Sequence, residues 1–165
     1  MTWQTELVQM LRTEIGDEGE TPVYSDSRLE RLIVNSGKIL IGEYDFVNTY
    51  TITISTQTIS PDPTELDDKD FVNLVIKRAV CMLARGIQRV EAGNSINVSD
   101  GQYNIDGTGP AREIRNWAES ACETFENAVF EYKASSSGGG KAIVGPHRTN
   151  NFSLGYSPPR NRSIW

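Results

Sequence analysis

Between Asp70 and Val90 the chain carries too many apolar residues, too widely spread, for a helix with one wet face. Phe71, Val72, Leu74, Val75, Ile76, Ala79, Val80, Cys81, Met82, Leu83, Ala84, Ile87 and Val90 are apolar. The polar residues among them, Asn73, Lys77, Arg78, Arg85, Gln88 and Arg89, do not share one narrow stripe. A surface helix keeps a polar face towards water, so this stretch reads as a central helix that other elements cover on most sides. At about 1.5 Å per residue it spans roughly 30 Å, close to the diameter of a small domain. It is too short and too charged for a membrane span. The expected fold is mainly α: a small helical bundle around a central buried helix, with a short strand, a β-hairpin and an extended C-terminal arm.

The elements around that helix follow from period and punctuation. Trp3, Leu7, Met10, Leu11 and Ile15 lie at helical spacing, so residues 2–15 read as an amphipathic helix that Thr2 can cap. Gly16-Asp17-Glu18-Gly19-Glu20 ends it in a flexible acidic loop. A second helix runs from about Asp26 to Tyr44. Ser27 with Glu30 matches a capping box, and Ser25 is the alternative cap. Gly37 sits beside its apolar face, where a small residue permits close contact. From Phe46 to Ser60 apolar residues alternate with Thr49, Thr51, Thr53 and Ser55, which predicts a strand with one buried face. Ser60-Pro61-Asp62-Pro63 stops it, and acids near Asp67 and Asp68 suit the start of the central helix.

After Val90, Ala92-Gly93-Asn94 is a helix stop. Asp100-Gly101 between alternating runs predicts a small hairpin over about Ser95 to Asp106. It is too short to stand alone and needs the body or another chain to pack on. Pro110 suits the first turn of a last helix, in which Ile114, Trp117, Ala118, Ala121, Cys122, Phe125, Ala128, Val129 and Tyr132 form one face. Each of the two cysteines, Cys81 and Cys122, falls on an apolar helix face. Buried free thiols are therefore expected rather than a disulfide or a metal pair, and a reducing compartment fits. The start of the chain has no basic stretch followed by an apolar run, so no signal peptide is expected.

The division falls at Lys133, giving a helical domain over 1–133 and a linker plus arm over 134–165. The net charge of the chain is −6. The first 133 residues hold 12 basic and 22 acidic residues, whereas the remainder holds four basic residues and no acid. Ser135 to Gly140 reads as a flexible linker. Beyond it, no helical or strand period appears, yet Phe152, Leu154, Tyr156, Arg160, Arg162 and Trp165 recur. Sparse aromatic and basic residues between turns suit an arm that orders on a partner's surface.

Signatures of chemistry are weak. Gly138-Gly139-Gly140-Lys141 has Ser135 and Ala142 where a phosphate loop needs Gly and Ser or Thr. Gly107-Thr108-Gly109 has Arg112 at the third glycine position of a dinucleotide fingerprint. The lone His147 has no constellation around it for a triad or a multi-histidine metal site. Asp62, Glu65, Asp67, Asp68 and Asp70 lack the calcium-loop pattern and read as helix-start acids. No enzyme, cofactor or metal is expected, and the acidic body disfavours general nucleic-acid binding.

The order of elements carries a resemblance. A helix opens with Tyr24-Ser25-Asp26-Ser27-Arg28-Leu29 and runs to Tyr44-Asp45-Phe46. A strand leads to Ile59-Ser60-Pro61-Asp62-Pro63, and a long helix contains Asp70-Phe71-Val72-Asn73-Leu74-Val75-Ile76-Lys77-Arg78-Ala79. A hairpin follows around Val98-Ser99-Asp100-Gly101, and a last helix ends in Phe125-Glu126-Asn127-Ala128. Over about Tyr24 to Lys133 this resembles the head–tail connector (adaptor, neck) proteins of tailed bacteriophages, through a diffuse pattern and no single motif. The resemblance implies a structural virion protein without enzymatic activity, made in the host cytoplasm and placed in the neck between capsid and tail. Its copies would form a ring, commonly of twelve, that binds the portal protein and a tail or tail-tube (nozzle) protein. Genomic DNA would pass through the lumen without specific binding, and no membrane is involved. The hairpin residues Val98, Asp100, Gly101 and Tyr103 would then lie between subunits. The arm residues named above would contact the portal or a neighbouring subunit. The alternatives are another neck or tail-completion protein, or a small cytosolic helical regulator of packaging that binds nucleic acid.

Overall fold

The computed structural model describes residues 2–94, 98–100, 103–105 and 108–136. Four helices and two short antiparallel ladders follow one another: α1 (Trp3–Ile15), α2 (Asp26–Glu43), β1 (Thr51–Thr53), β2 (Thr58–Ser60), α3 (Lys69–Asn94), β3 (Val98–Asp100), β4 (Tyr103–Ile105) and α4 (Thr108–Ser136). The mainly helical bundle around a central helix is borne out. From Phe71 to Ala84, Asn73 alone on α3 is exposed, and α1, α2 and α4 all pack on this helix. Phe71, Leu74, Val75 and Ala79 form the middle of the core with Leu7, Leu11, Ile33, Leu40 and Phe125.

The far half of α3 departs from the expectation. Exposure returns at Arg85, and Val90 is 62% exposed. α3 and α4 run antiparallel, so the last turns of α3 and the first turns of α4 continue together past the core. Gln88 and Ala92 there face Ala111, Arg112 and Arg115 across a shallow cleft. At about 1.5 Å per residue, α3 and α4 are roughly 40 Å long, longer than the core that α1 and α2 can cover.

The cysteine expectation is overturned. Cys81 of α3 and Cys122 of α4 form a disulfide, with Cα atoms 4.7 Å apart. Each apolar face that hid its cysteine is the face turned to the other helix, which brings the two sulfurs together. The pairing also removes the basis for inferring a reducing compartment.

The stretch from Phe46 to Ser60 is a hairpin and not one strand. Thr51 pairs with Ser60, Ile52 with Ile59 and Thr53 with Thr58. The chain reverses between them, with Gln57 at φ 52° and its N–H donating to the Ile54 carbonyl at 3.3 Å. Ile54, expected on the buried side, is therefore half exposed, while Tyr50, Ile52 and Ile59 are buried. Alternation alone does not reveal a reversal made by Ser55-Thr56-Gln57, which holds no Gly, Pro or Asn.

The helix starts use other partners than expected. Thr2 stands at the cap position of α1 but makes no side-chain cap bond. Instead the Trp3 N–H donates to the Asp62 carboxylate at 3.1 Å. Neither Ser25 nor the Ser27/Glu30 box caps α2, which begins at Asp26. The acidic loop after α1 is clasped and not free. Gly16 ends α1 at φ 70°. Asp17, buried, then accepts from Arg12 at 2.6 Å and from the Val23 N–H at 2.7 Å. Arg12 also donates to the Tyr24 carbonyl and to Asp26, which ties the loop to the start of α2.

Gly37 allows the close approach expected of it. A Cβ there would stand 2.9 Å from Cδ1 of Ile52 and 3.5 Å from the Phe71 ring. Gly37→Ala gains about 1 kcal/mol of helix propensity against a small shift of the Ile52 tip, so its net effect is small. Gly37→Leu has no room and is expected to cost about 1–3 kcal/mol, read as a lowered midpoint of urea unfolding.

Candidate assembly surfaces

The outward elements, more than any cleft, are the candidate functional parts. The first is the tip beyond α3 and α4. Val98 pairs with Ile105, Ser99 with Asn104 and Asp100 with Tyr103. The expected hairpin therefore forms. Its register keeps Asp100 in the ladder, so Asp100 is not one of the turn residues. Of the hairpin residues expected between subunits, Val98, Asp100 and Tyr103 are in strands and Gly101 lies outside the described residues. The arm residues Phe152, Leu154, Tyr156, Arg160, Arg162 and Trp165 also lie outside them. α4 continues to Ser136, three residues past the expected boundary, so Ala134 to Ser136 belong to the helix.

The second part is the solvent face of α4. Ala118, Cys122, Phe125, Val129 and Tyr132 face the core. Flanking that face, along the groove beside α3, exposed Glu119, Glu123 and Glu126 follow at spacings of four and three, and Phe130, 74% exposed, continues the line. From Asn116 to Tyr132 the helix carries acids and no base. Arg115 donates to Glu119 at 2.9 Å, and Arg85 of α3 lies in the same groove. The periodicity that identified the core face also defines this stripe. Phe130, an aromatic on the polar side, is the signal that sequence reading passed over.

The third part is the solvent face of α2, where Arg28, Arg31 and Lys38 are exposed at helical spacing. Arg28 lies over the Tyr24 ring at 4.9 Å. No ion pair holds any of the three among the described residues.

Beneath these surfaces a polar and aromatic joint fixes α3 and α4. Asp68 caps α3 by accepting from the Phe71 N–H at 3.0 Å. Its other oxygen accepts from the Tyr50 hydroxyl at 2.6 Å and from Asn48 at 2.9 Å. The Tyr50 and Phe71 rings stack at 4.0 Å, and Phe46 stands edge-on to Phe71 and beside Tyr132. The Tyr132 hydroxyl donates to the Asp45 carbonyl. Burial works to raise the Asp68 pKa, but the bonds from Tyr50, Asn48 and Phe71 outweigh it and hold the carboxyl below its ordinary value. Asp62 behaves likewise, with Thr64 and the Trp3 N–H overcoming burial. Burial, aided by Asp68, pushes the Tyr50 hydroxyl well up. Burial and nearby carboxylates also raise Tyr132. The acidic run before α3 thus divides: Asp68 caps the helix and Asp62 anchors α1.

Among the described residues no group of three or more His, Cys, Asp or Glu is placed to hold a metal ion. No described helix is long and apolar enough to cross a membrane. What the outward parts offer is charge, hydrogen bonding and exposed apolar area, the means by which chains associate. Compared with known proteins, the chain matches no family model, no curated protein and no solved structure.

Proposed function

We propose that this chain is a structural head-to-tail connector of a tailed bacteriophage, one subunit of a ring below the portal that joins capsid to tail. The observation that carries this reading is the helical hairpin of α3 and α4, which extends past the core and ends in the β3–β4 ladder. A projecting tip that cannot stand alone and a basic, aromatic C-terminal arm are parts suited to linking neighbours. A ring uses head-to-tail contacts between two different surfaces, and closure fixes the number of copies. The portal and a tail or nozzle protein are the partners in this reading, with the arm reaching the portal or an adjacent subunit. The acidic body, which holds all 22 acids of the chain, suits a lumen that repels DNA phosphates.

The test is the mass and shape of the purified protein, alone and mixed with portal-bearing particles, by light scattering and particle imaging. A ring on the portal is the expected result. A chain that ignores portals and shifts DNA in a salt-dependent way would overturn the reading in favour of a packaging regulator.

A further inference from the structure

From the charge on two helix faces we infer that copies of this chain join by laying the basic face of α2 on the acidic face of α4 of the next copy. The inference rests on the ring reading and names its subunit contact.

The α4 face carries Glu119, Glu123 and Glu126, all exposed. The α2 face carries Arg28, Arg31 and Lys38, all exposed. On each helix the three lie at spacings that keep them on one side, so each forms a stripe and not a scatter. The α4 stripe spans about 10 Å and the α2 stripe about 15 Å along their axes, lengths that can lie side by side. Glu123, Glu126, Arg31 and Lys38 take part in no ion pair among the described residues. Their charges are thus open to an outside partner. Phe130 continues the α4 stripe at 74% exposure and supplies an apolar anchor at its end.

The placement decides what kind of association follows. α2 and α4 both pack on α3, and the two stripes lie on the exposed sides of these two different helices. A basic stripe cannot meet its own symmetry mate without like-charge repulsion, nor can an acidic one. A dimer in which either stripe meets itself is therefore disfavoured, and each contact pairs unlike stripes of two copies, as a closed ring requires. Charge pairs of this kind add modestly to affinity but strongly to choice of partner and register, because wrong pairings set like charges together.

Two full-length variants test this, E123K/E126K and R31E/K38E, on portal-bearing particles. The four residues are exposed and hold no ion pair, so both variants are expected to keep the unfolding midpoint of the wild type. Alone, each would set like charges against its neighbour, and ring formation is expected to fall about tenfold or more. Mixed in equal amounts they restore complementarity, since the basic α2 of the first fits the acidic α4 of the second and the acidic α2 of the second fits the basic α4 of the first. Recovery of rings in the mixture, weakening as salt is raised, is the expected result. Undiminished rings from either variant alone, or no recovery in the mixture, would overturn the contact while leaving the ring reading intact. Failure of the wild type to assemble on portals would overturn both.

Discussion

Replacing Cys81 and Cys122 together by alanine is expected to lower the free energy of unfolding by about 4 kcal/mol, the largest effect of any change considered for this chain. The bond closes a loop across a sequence separation of 41 residues, and its loss frees the unfolded chain to explore far more conformations. The loop it closes contains the far half of α3, the β3–β4 ladder and the first turns of α4. Cys81 and Cys122 are both 5% exposed, at the level where the two helices leave the core. Without the bond, α4 is held to α3 there by the packing of Ala118, Phe125 and their neighbours and by Arg78 over the Phe125 ring, and the projecting half is expected to fray first. Urea unfolding with and without reductant checks this. Reductant should move the wild-type midpoint down to that of the double variant and leave the variant unchanged. A wild-type midpoint insensitive to reductant would show that the sulfurs are not joined in the protein as purified. The bond also bears on function, since a rigid α3–α4 hairpin presents its tip in one orientation, and ring closure tolerates little variation in the angle between copies.

The helices were legible because their core faces repeat at three and four residues over long stretches, and tertiary packing uses that same face. The central position of α3 followed from apolar residues around its circumference between Phe71 and Ala84. What period does not encode is where the other helices run out. Val90 and Ile87 look like core in sequence, yet α1 and α2 end before they can cover the far turns. The disulfide was hidden for a related reason: a cysteine on an apolar face reads as buried wherever it is, and only the antiparallel pairing of α3 with α4 brings Cys81 to Cys122. The β1–β2 reversal carries no turn residue that would betray it, although Ile59 repeats the buried position of Ile52 across the ladder. Caps were the least legible feature. The Trp3 N–H at the start of α1 is met by Asp62, 59 residues away, and no local rule reaches that far. The α2 and α4 stripes were written plainly in the sequence, but a charged face reads as solvated until the fold shows which surfaces it leaves open.

Asp68→Ala is expected to cost about 2–4 kcal/mol, because one carboxylate serves three donors on two parts of the chain. Loss of the α3 cap accounts for about 1 kcal/mol of this. The rest comes from the Tyr50 hydroxyl, which is left without its acceptor in a residue that is 6% exposed. Asn48 loses its acceptor as well. Asp68→Asn keeps an oxygen for one donor but turns an amide towards another, so a smaller loss is expected. The pair separates charge from geometry through pH. The folded-state pKa of Asp68 lies below its ordinary value. The stability its charge contributes is therefore fully present above the unfolded value of about 3.9 and is lost as pH falls through the folded one. Asp62 acts in the same direction, so acid destabilises every variant to some degree. The difference between wild type and Asp68→Asn isolates the one group. That difference is expected to be constant near neutrality and to close below about pH 4, measured as urea midpoints across the acid range. A gap that persisted at low pH would assign the role of Asp68 to shape and hydrogen bonding alone, with no contribution from its charge.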